Sequence, residues 1–309
     1  MPCEFIGLSR DGWLARFDQY LKDVRGLRPG SRRVYRRYVQ EFLTDQFPDS
    51  AICDLRGLSA KRLWEFIKMQ AVRREASTLK TVLPAIRSFL RYLVLLGICD
   101  ASLIKAVPSV PRRRLSSLPV ALSEEQLLKL LHGFNRATPI GRRDYAIAGC
   151  LSRLGLRAGE VAHLTLDDVD WRGPTVRLRS DKERRDSSLP LPEDVGVAIV
   201  AYLRDGRPAT GDRHLFVRHR APHLGQALTS SAVCQVIRRA WHRCDPGEPR
   251  RGTHALRHSL ASRLLAGGAD LKRVADILRH RSLDTTMIYS RLDHPHLAEV
   301  MQEWPTPCP

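Results

Sequence analysis

Between Thr253 and Tyr289 the chain reads THALRHSLASRLLAGGADLKRVADILRHRSLDTTMIY, and this stretch restricts the possible folds more than any other. On a helix His254, Arg257 and His258 stand at i, i+3 and i+4 and project together, while Leu256, Leu260 and Leu264 form a second face that can anchor in a core. Gly267 and Gly268 suit a left-handed C-cap. Asp270 can N-cap a second helix, LKRVADILR, whose Leu271, Val274, Ile277 and Leu278 make a buried stripe. His280 falls just past its end, and Asp284, Thr285 and Thr286 can open another turn leading to Tyr289. Singly, a histidine or tyrosine most often belongs to a core or a surface. Together these residues suit a tyrosine presented as a nucleophile beside imidazoles and a guanidinium.

What such a nucleophile would attack is narrowed by charge. The chain carries 51 Lys and Arg against 33 Asp and Glu, a formal net charge of +18. An excess of that size points to a polyanionic partner, most often nucleic acid. Both halves share it: residues 1–114 hold 22 basic and 11 acidic residues, and the remainder 29 and 22. The seven cysteines, Cys3, Cys53, Cys99, Cys150, Cys234, Cys244 and Cys308, include no CxxC pair and are odd in number, which argues for free thiols in a reducing compartment. Neither a signal peptide nor a membrane-length apolar run is present, so a cytoplasmic protein without a membrane partner is expected.

A length of 309 residues fits two domains. Residues 1–107 show helical patterns only, at 10–24, at 31–47 with Ser31 as N-cap, from Ser59, and from about Ser77 to Gly97 with Pro84 as a possible kink. Their apolar faces carry Trp13, Phe17, Tyr20 and Leu21, then Val34, Tyr35, Tyr38, Val39, Phe42 and Leu43, then Leu63, Trp64, Phe66 and Ile67, then Val82, Ile86, Phe89, Leu90 and Leu93. Arg32, Arg33, Arg36, Arg37, Lys80, Arg87 and Arg91 lie on the other faces. One such cluster alone reads as a solvated surface; several in one small bundle favour phosphate contact. The segment 108–119, PSVPRRRLSSLP, has the composition of an extended basic linker, with Arg112, Arg113 and Arg114 able to follow a DNA backbone.

From residue 120 to 309 the pattern is mixed. A capping box joins Ser123 to Gln126, a helix spans about 142–154, and GLRAGE places Arg157 and Glu160 at the start of a short one. TVRLR and SSLPL read as strands flanking the turn SDKERRD, whose Lys182 is the only lysine between Arg157 and His254. A helix from Asp194 to Leu203, a strand HLFV and a helix from Ser230 to about Arg243 complete a mainly α domain with a small antiparallel sheet.

Arg157 in GLRAGE, Lys182 in a turn, HALRH, then LRH with Tyr289 nine residues after His280 stand in the order found in the tyrosine recombinases, or phage integrase family, which this chain resembles over nearly its whole length. The turn lacks the Gly-Lys-Gly spelling common in relatives. The resemblance implies a helical, SAM-like core-binding domain followed by a mixed α/β catalytic domain. In it Arg157 and Arg257 would hold the scissile phosphate, Lys182 and His280 assist proton transfer and phosphate binding, His254 act as acid or base, and Tyr289 attack. Glu160 and His258 would support them. The implied activity is site-specific DNA recombination, as in integration, excision, transposition or resolution, by a tetramer of this chain, or with a related recombinase, on double-stranded DNA. Within the tail 292–309, His296 to Trp304 can form a short amphipathic helix that packs on its own domain or, as the resemblance implies, docks on a neighbouring protomer.

The chemistry stands without the name. Two forked guanidiniums can neutralise charge on a phosphodiester under attack, so no metal and no cofactor is expected. A zinc reading of His254 and His258 is disfavoured because Ala255 replaces the glutamate of HExxH. Two other functions use the same residues: a topoisomerase of the IB type that relaxes supercoils, and a DNA-binding regulator that does not cut. The filled catalytic positions speak against the second.

Overall fold

The computed structural model describes residues 8–48, 52–110, 121–179, 186–247 and 251–279, and the chain divides into two compact units, Met1–Arg114 and Leu115–Pro309. In the first, α1 (Arg10–Asp23), α2 (Pro29–Gln46), α3 (Ala60–Arg73), α4 (Ala76–Leu95) and the short α5 (Ser102–Ala106) form a bundle. Ser9 caps α1 through the Gly12 amide and Ser59 caps α3 through the Arg62 amide, satisfying donors that a helix start leaves open. The apolar stripe of α4 is central: Val82, Ile86, Phe89 and Leu93 are all fully buried. Phe89 meets Phe17 edge-on at 5.1 Å, and Phe42 meets Phe66 in the same way at 5.1 Å. Such edge-to-face pairs each add about 1 kcal/mol beyond area burial.

Some local expectations change. Helix α2 starts at Pro29, with Arg28 rather than Ser31 at the cap position, because a proline's fixed φ and missing amide fit the first helical residue. Its first two turns hold no fully buried residue, and Val34 there is exposed; Trp64, off the Leu63–Phe66–Ile67 stripe of α3, is exposed too. Helix α4 continues past Pro84, and α5 had no sequence signal strong enough to mark it.

The second unit contains α6 (Glu124–His132), α7 (Pro139–Arg153), α8 (Ala158–His163), β1 (Val169–Asp170), β2 (Thr175–Leu178), β3 (Ser187–Pro190), α9 (Glu193–Asp205), α10 (Ser230–Cys244), α11 (Thr253–Ala266) and α12 (Leu271–Leu278). The three strands form one antiparallel sheet in chain order, Val176 of β2 facing Val169 on one side and Leu189 on the other. HLFV does not form a strand; His214 and Val217 make only isolated bridges, to Thr165 and Ala227. Around α7 the core gathers Ile147, Leu151, Ile199, Tyr202, Phe216, Trp241 and Leu256.

Helix α12 packs on α11, where Leu260, Ala261 and Leu265 join Val274 and Leu278 in a small separate cluster. One docked face suffices for so short a helix, and Ile277, expected in its buried stripe, is exposed. Gly268, with φ +83°, supplies the left-handed residue between α11 and α12; Gly267 does not. The capping box of Ser123 and Gln126 is formed, and the Ser259 hydroxyl accepts the Leu122 amide at 2.7 Å, tying the start of this unit to α11.

Gly155 ends α7's extension with φ +60°, and a Cβ there would lie 2.8 Å from both Leu260 Cδ2 and Leu278 Cδ2. Gly155→Ala therefore combines left-handed strain with overpacking and should cost about 2–4 kcal/mol, read as a lower urea midpoint at unchanged slope.

Candidate active site

Arg157 occupies the N-cap position of α8, where its own amide and guanidinium both turn to Glu160. The amide donates to Oε2 at 2.7 Å and Nη1 donates to Oε1 at 2.7 Å. A third donor comes from far along the chain: Arg279 Nη2 reaches Glu160 Oε2 at 2.8 Å. Burial pushes the Glu160 carboxyl up, but the Arg279 charge and the hydrogen bonds and charge of Arg157 outweigh it and hold it below the usual carboxylate range. Glu160 thus remains an anion and a fixed partner for Arg157.

Arg257 is 5 % exposed. Its Nη1 donates to the Gly155 carbonyl and its Nη2 to the Leu278 carbonyl. These acceptors sit where helices end and carbonyls lack intrahelical partners, which is where a cation is also favoured. Arg157 Nη2 donates to the next carbonyl along, that of Arg279, at 3.1 Å. Two guanidiniums separated by a hundred positions in sequence therefore converge on the adjacent carbonyls of Leu278 and Arg279. A guanidinium has five N–H donors in a fixed plane, so those bonds position each fork.

The three projecting residues of α11 differ in depth: Arg257 is buried, His258 half-buried and His254 exposed, the two rings lying 6.4 Å apart. Burial, then the charges of His254 and Arg257, push the His258 pKa down to about 4, so it is neutral at pH 7. Because the folded value lies below the ordinary one near 6.5, the unfolded chain binds more protons between them. The stability contributed by neutral His258 is present above pH 6.5 and lost as pH falls toward 4. Denaturant midpoints measured from pH 7 to 4 should fall less steeply for His258→Gln than for the parent.

Lys182, His280, Tyr289 and Arg112, Arg113 and Arg114 lie outside the described residues. The strands flanking the Lys182 turn are described, and Arg179, one residue past β2, pairs with the buried Asp168 at 2.9 Å. In the first unit Arg33, Arg36, Arg37, Lys80 and Arg91 are exposed. Arg32 is half-buried and pairs with Asp18 at 3.4 Å. Arg37 pairs with Glu41 at 3.3 Å and stands over the Tyr38 ring at 4.9 Å. Arg87, expected to point outward, instead donates Nη2 to the Val107 and Pro108 carbonyls at 3.1 and 3.2 Å and pins the chain leaving α5. Among the described residues no three His, Cys, Asp or Glu side chains group as a metal site.

Sequence reasoning missed Arg279, since an arginine in a last helical turn ordinarily reads as a dipole partner. It also missed the carbonyls of Gly155, Leu278 and Arg279, which no side-chain pattern can reveal.

The phage integrase family model matches residues 121–296, and that of the phage integrase N-terminal SAM-like domain matches residues 14–97. The putative integrase/recombinase y4rA of Sinorhizobium fredii is 39% identical over 94% of this chain and 70% of its own length. Tyrosine recombinase XerC of Mycobacterium sp. (strain JLS) is 30% identical over 93% of this chain and 96% of its own. Among solved structures, the XerH site-specific recombinase in its post-cleavage complex with a palindromic difH substrate aligns with TM-score 0.71 at 20% identity, covering 95% of this chain and 85% of that one. The likeness to XerH concerns the fold.

Proposed function

This chain belongs to the phage integrase family, and from that premise we propose that it is a site-specific recombinase that cuts and rejoins double-stranded DNA through a 3′-phosphotyrosyl link to Tyr289. The observation that carries the reading is the convergence of Arg157 and Arg257 on the end of α12, one residue before His280. As the Tyr289 oxygen bonds to phosphorus, charge builds on the nonbridging oxygens, and the two forks meet it with paired hydrogen bonds. A phenol is a weak nucleophile at neutral pH and must give up its proton to a base, for which His254 is the candidate. The bond from phosphorus to the 5′ oxygen breaks, and Lys182 protonates that oxygen while His280 holds the phosphate. His258, neutral at pH 7, adds no competing charge. Attack by a 5′ hydroxyl from another strand reverses the step, and the retained ester energy removes any need for ATP.

Two duplexes present four strands, and each chain offers one Tyr289, so exchange calls for four protomers on DNA. The DNA substrate and the cysteine pattern support action in the cytoplasm. The test is a duplex from the chain's own flanking DNA, nicked just beyond the cleavage point, incubated in chelator. A covalent adduct on the peptide containing Tyr289 supports the proposal, and strict dependence on a divalent ion counts against it. Recombinant joints rather than relaxed circles separate this activity from a topoisomerase; no adduct at all would favour a regulator.

In the first unit, Arg33, Arg36, Arg37, Lys80 and Arg91 are the exposed candidates for backbone contact. Replacing Arg33 and Arg36 together by Gln should weaken DNA binding on any sequence and reduce the slope of log affinity against log salt by about 1 for each phosphate that these two side chains neutralise. An unchanged slope would assign those residues to plain surface.

A further inference from the structure

We propose that Arg279 is a positioning residue for the reaction, its side chain and its main chain together fixing the fork of Arg157. The inference rests on the reading of Arg157 as a phosphate-holding residue. Among the described residues Arg279 is the only non-glycine with positive φ, at φ +51° and ψ +52°. A side chain there crowds its own backbone, so such a conformation persists only where surroundings over-determine it, and it concentrates at working sites.

The surroundings here form a closed ring. Arg157 donates to Glu160, Arg279 donates to the same carboxylate from the other end of the unit, and Arg157 returns to the Arg279 carbonyl. The Arg279 side chain is only 11 % exposed against 41 % for Arg157. The deeper arginine faces the carboxylate and the shallower one retains access to a ligand. If the left-handed turn alone mattered, glycine would serve better than arginine at this position. The arginine adds an ion pair that holds α12's end against α8, and with it the carbonyl that orients Arg157.

The experiment compares parent, Arg279→Gly, Arg279→Lys and Arg157→Ala in single-turnover adduct formation on the nicked duplex at saturating protein, across pH 4.5–8. DNA affinity and thermal midpoint are measured alongside. Arg279→Gly should keep DNA affinity within about twofold while its saturated rate falls about tenfold, the size of effect seen when a residue supporting a reactive group is removed. Arg279→Lys should recover part of that rate, because it restores a cation to Glu160. Among the described residues the charged groups facing Glu160 are Arg157, from its own helix start, and Arg279, from the end of α12. Removing Arg279 therefore lets the carboxyl protonate at higher pH, and the acid limb of the Arg279→Gly rate profile should move upward.

A parental rate in Arg279→Gly overturns the proposal, as does a slow variant with a lowered midpoint and an unmoved acid limb. An Arg157→Ala variant that reacts like the parent would remove the underlying reading of Arg157 and this inference with it. A dead Arg157→Ala beside a normal Arg279→Gly removes this inference alone.

Discussion

Tyr289→Phe is expected to lower covalent adduct formation on the nicked duplex by roughly 10⁴-fold or more while leaving DNA affinity within about twofold. The change deletes one oxygen and keeps the ring, so packing and charge are nearly conserved. If the phenolic oxygen forms the bond to phosphorus, its removal takes away the nucleophile itself. Water positioned by the two arginines could cleave slowly, but it would leave no protein attached to the 3′ end. The measurement is therefore the labelled protein–DNA band on a denaturing gel, not strand loss alone. Adducts in Tyr289→Phe at the parental rate would move the nucleophile elsewhere and dismantle the mechanism.

Arg257→Ala should reduce the same rate about 10²–10³-fold, the usual loss when one preorganised donor to a developing oxyanion is removed. Its effect differs in kind from that of Tyr289→Phe because Arg257 also holds structure. The Gly155 and Leu278 carbonyls lose their guanidinium donors, at a cost of about 1–3 kcal/mol for a buried polar group left unsatisfied. A lower denaturant midpoint should accompany the lower rate. Arg257→Lys separates the two roles: it keeps the charge, but a single ammonium cannot span two carbonyls and a phosphate in the geometry of a planar fork. It should recover little of the rate and only part of the stability. Full activity in Arg257→Lys would show that charge, not the fork, is what the phosphate requires.

The coarse plan of the molecule was legible from periodicity. Ser59, Ser123 and Asp270 each cap the helix that follows, because a short polar side chain accepting an amide is a local event within three residues. Helix starts at Pro29 and Pro139 follow equally local chemistry, although Ser31 was the more conspicuous capping residue. Errors came where a neighbour from elsewhere in the chain decides. Trp64 and Ile277 are apolar at helical spacing yet exposed, since among the described residues no other element buries that part of their helices. Arg87 looked like the solvent side of α4 and is instead drawn onto two carbonyls twenty residues on.

The order of Arg157, Lys182, His254, Arg257, His280 and Tyr289, the basic charge and the alternation of apolar and polar faces are properties of the chain alone, and they carried the family and its chemistry. Tertiary structure decided which arginine lies deep and which stays open, that Glu160 is shared by Arg157 and Arg279, and that main-chain carbonyls at the end of α12 aim both forks. The reason is physical. Spacing along a helix specifies a direction, but depth and hydrogen-bond partners depend on which backbone groups another segment leaves unsatisfied nearby, and those segments meet only on folding.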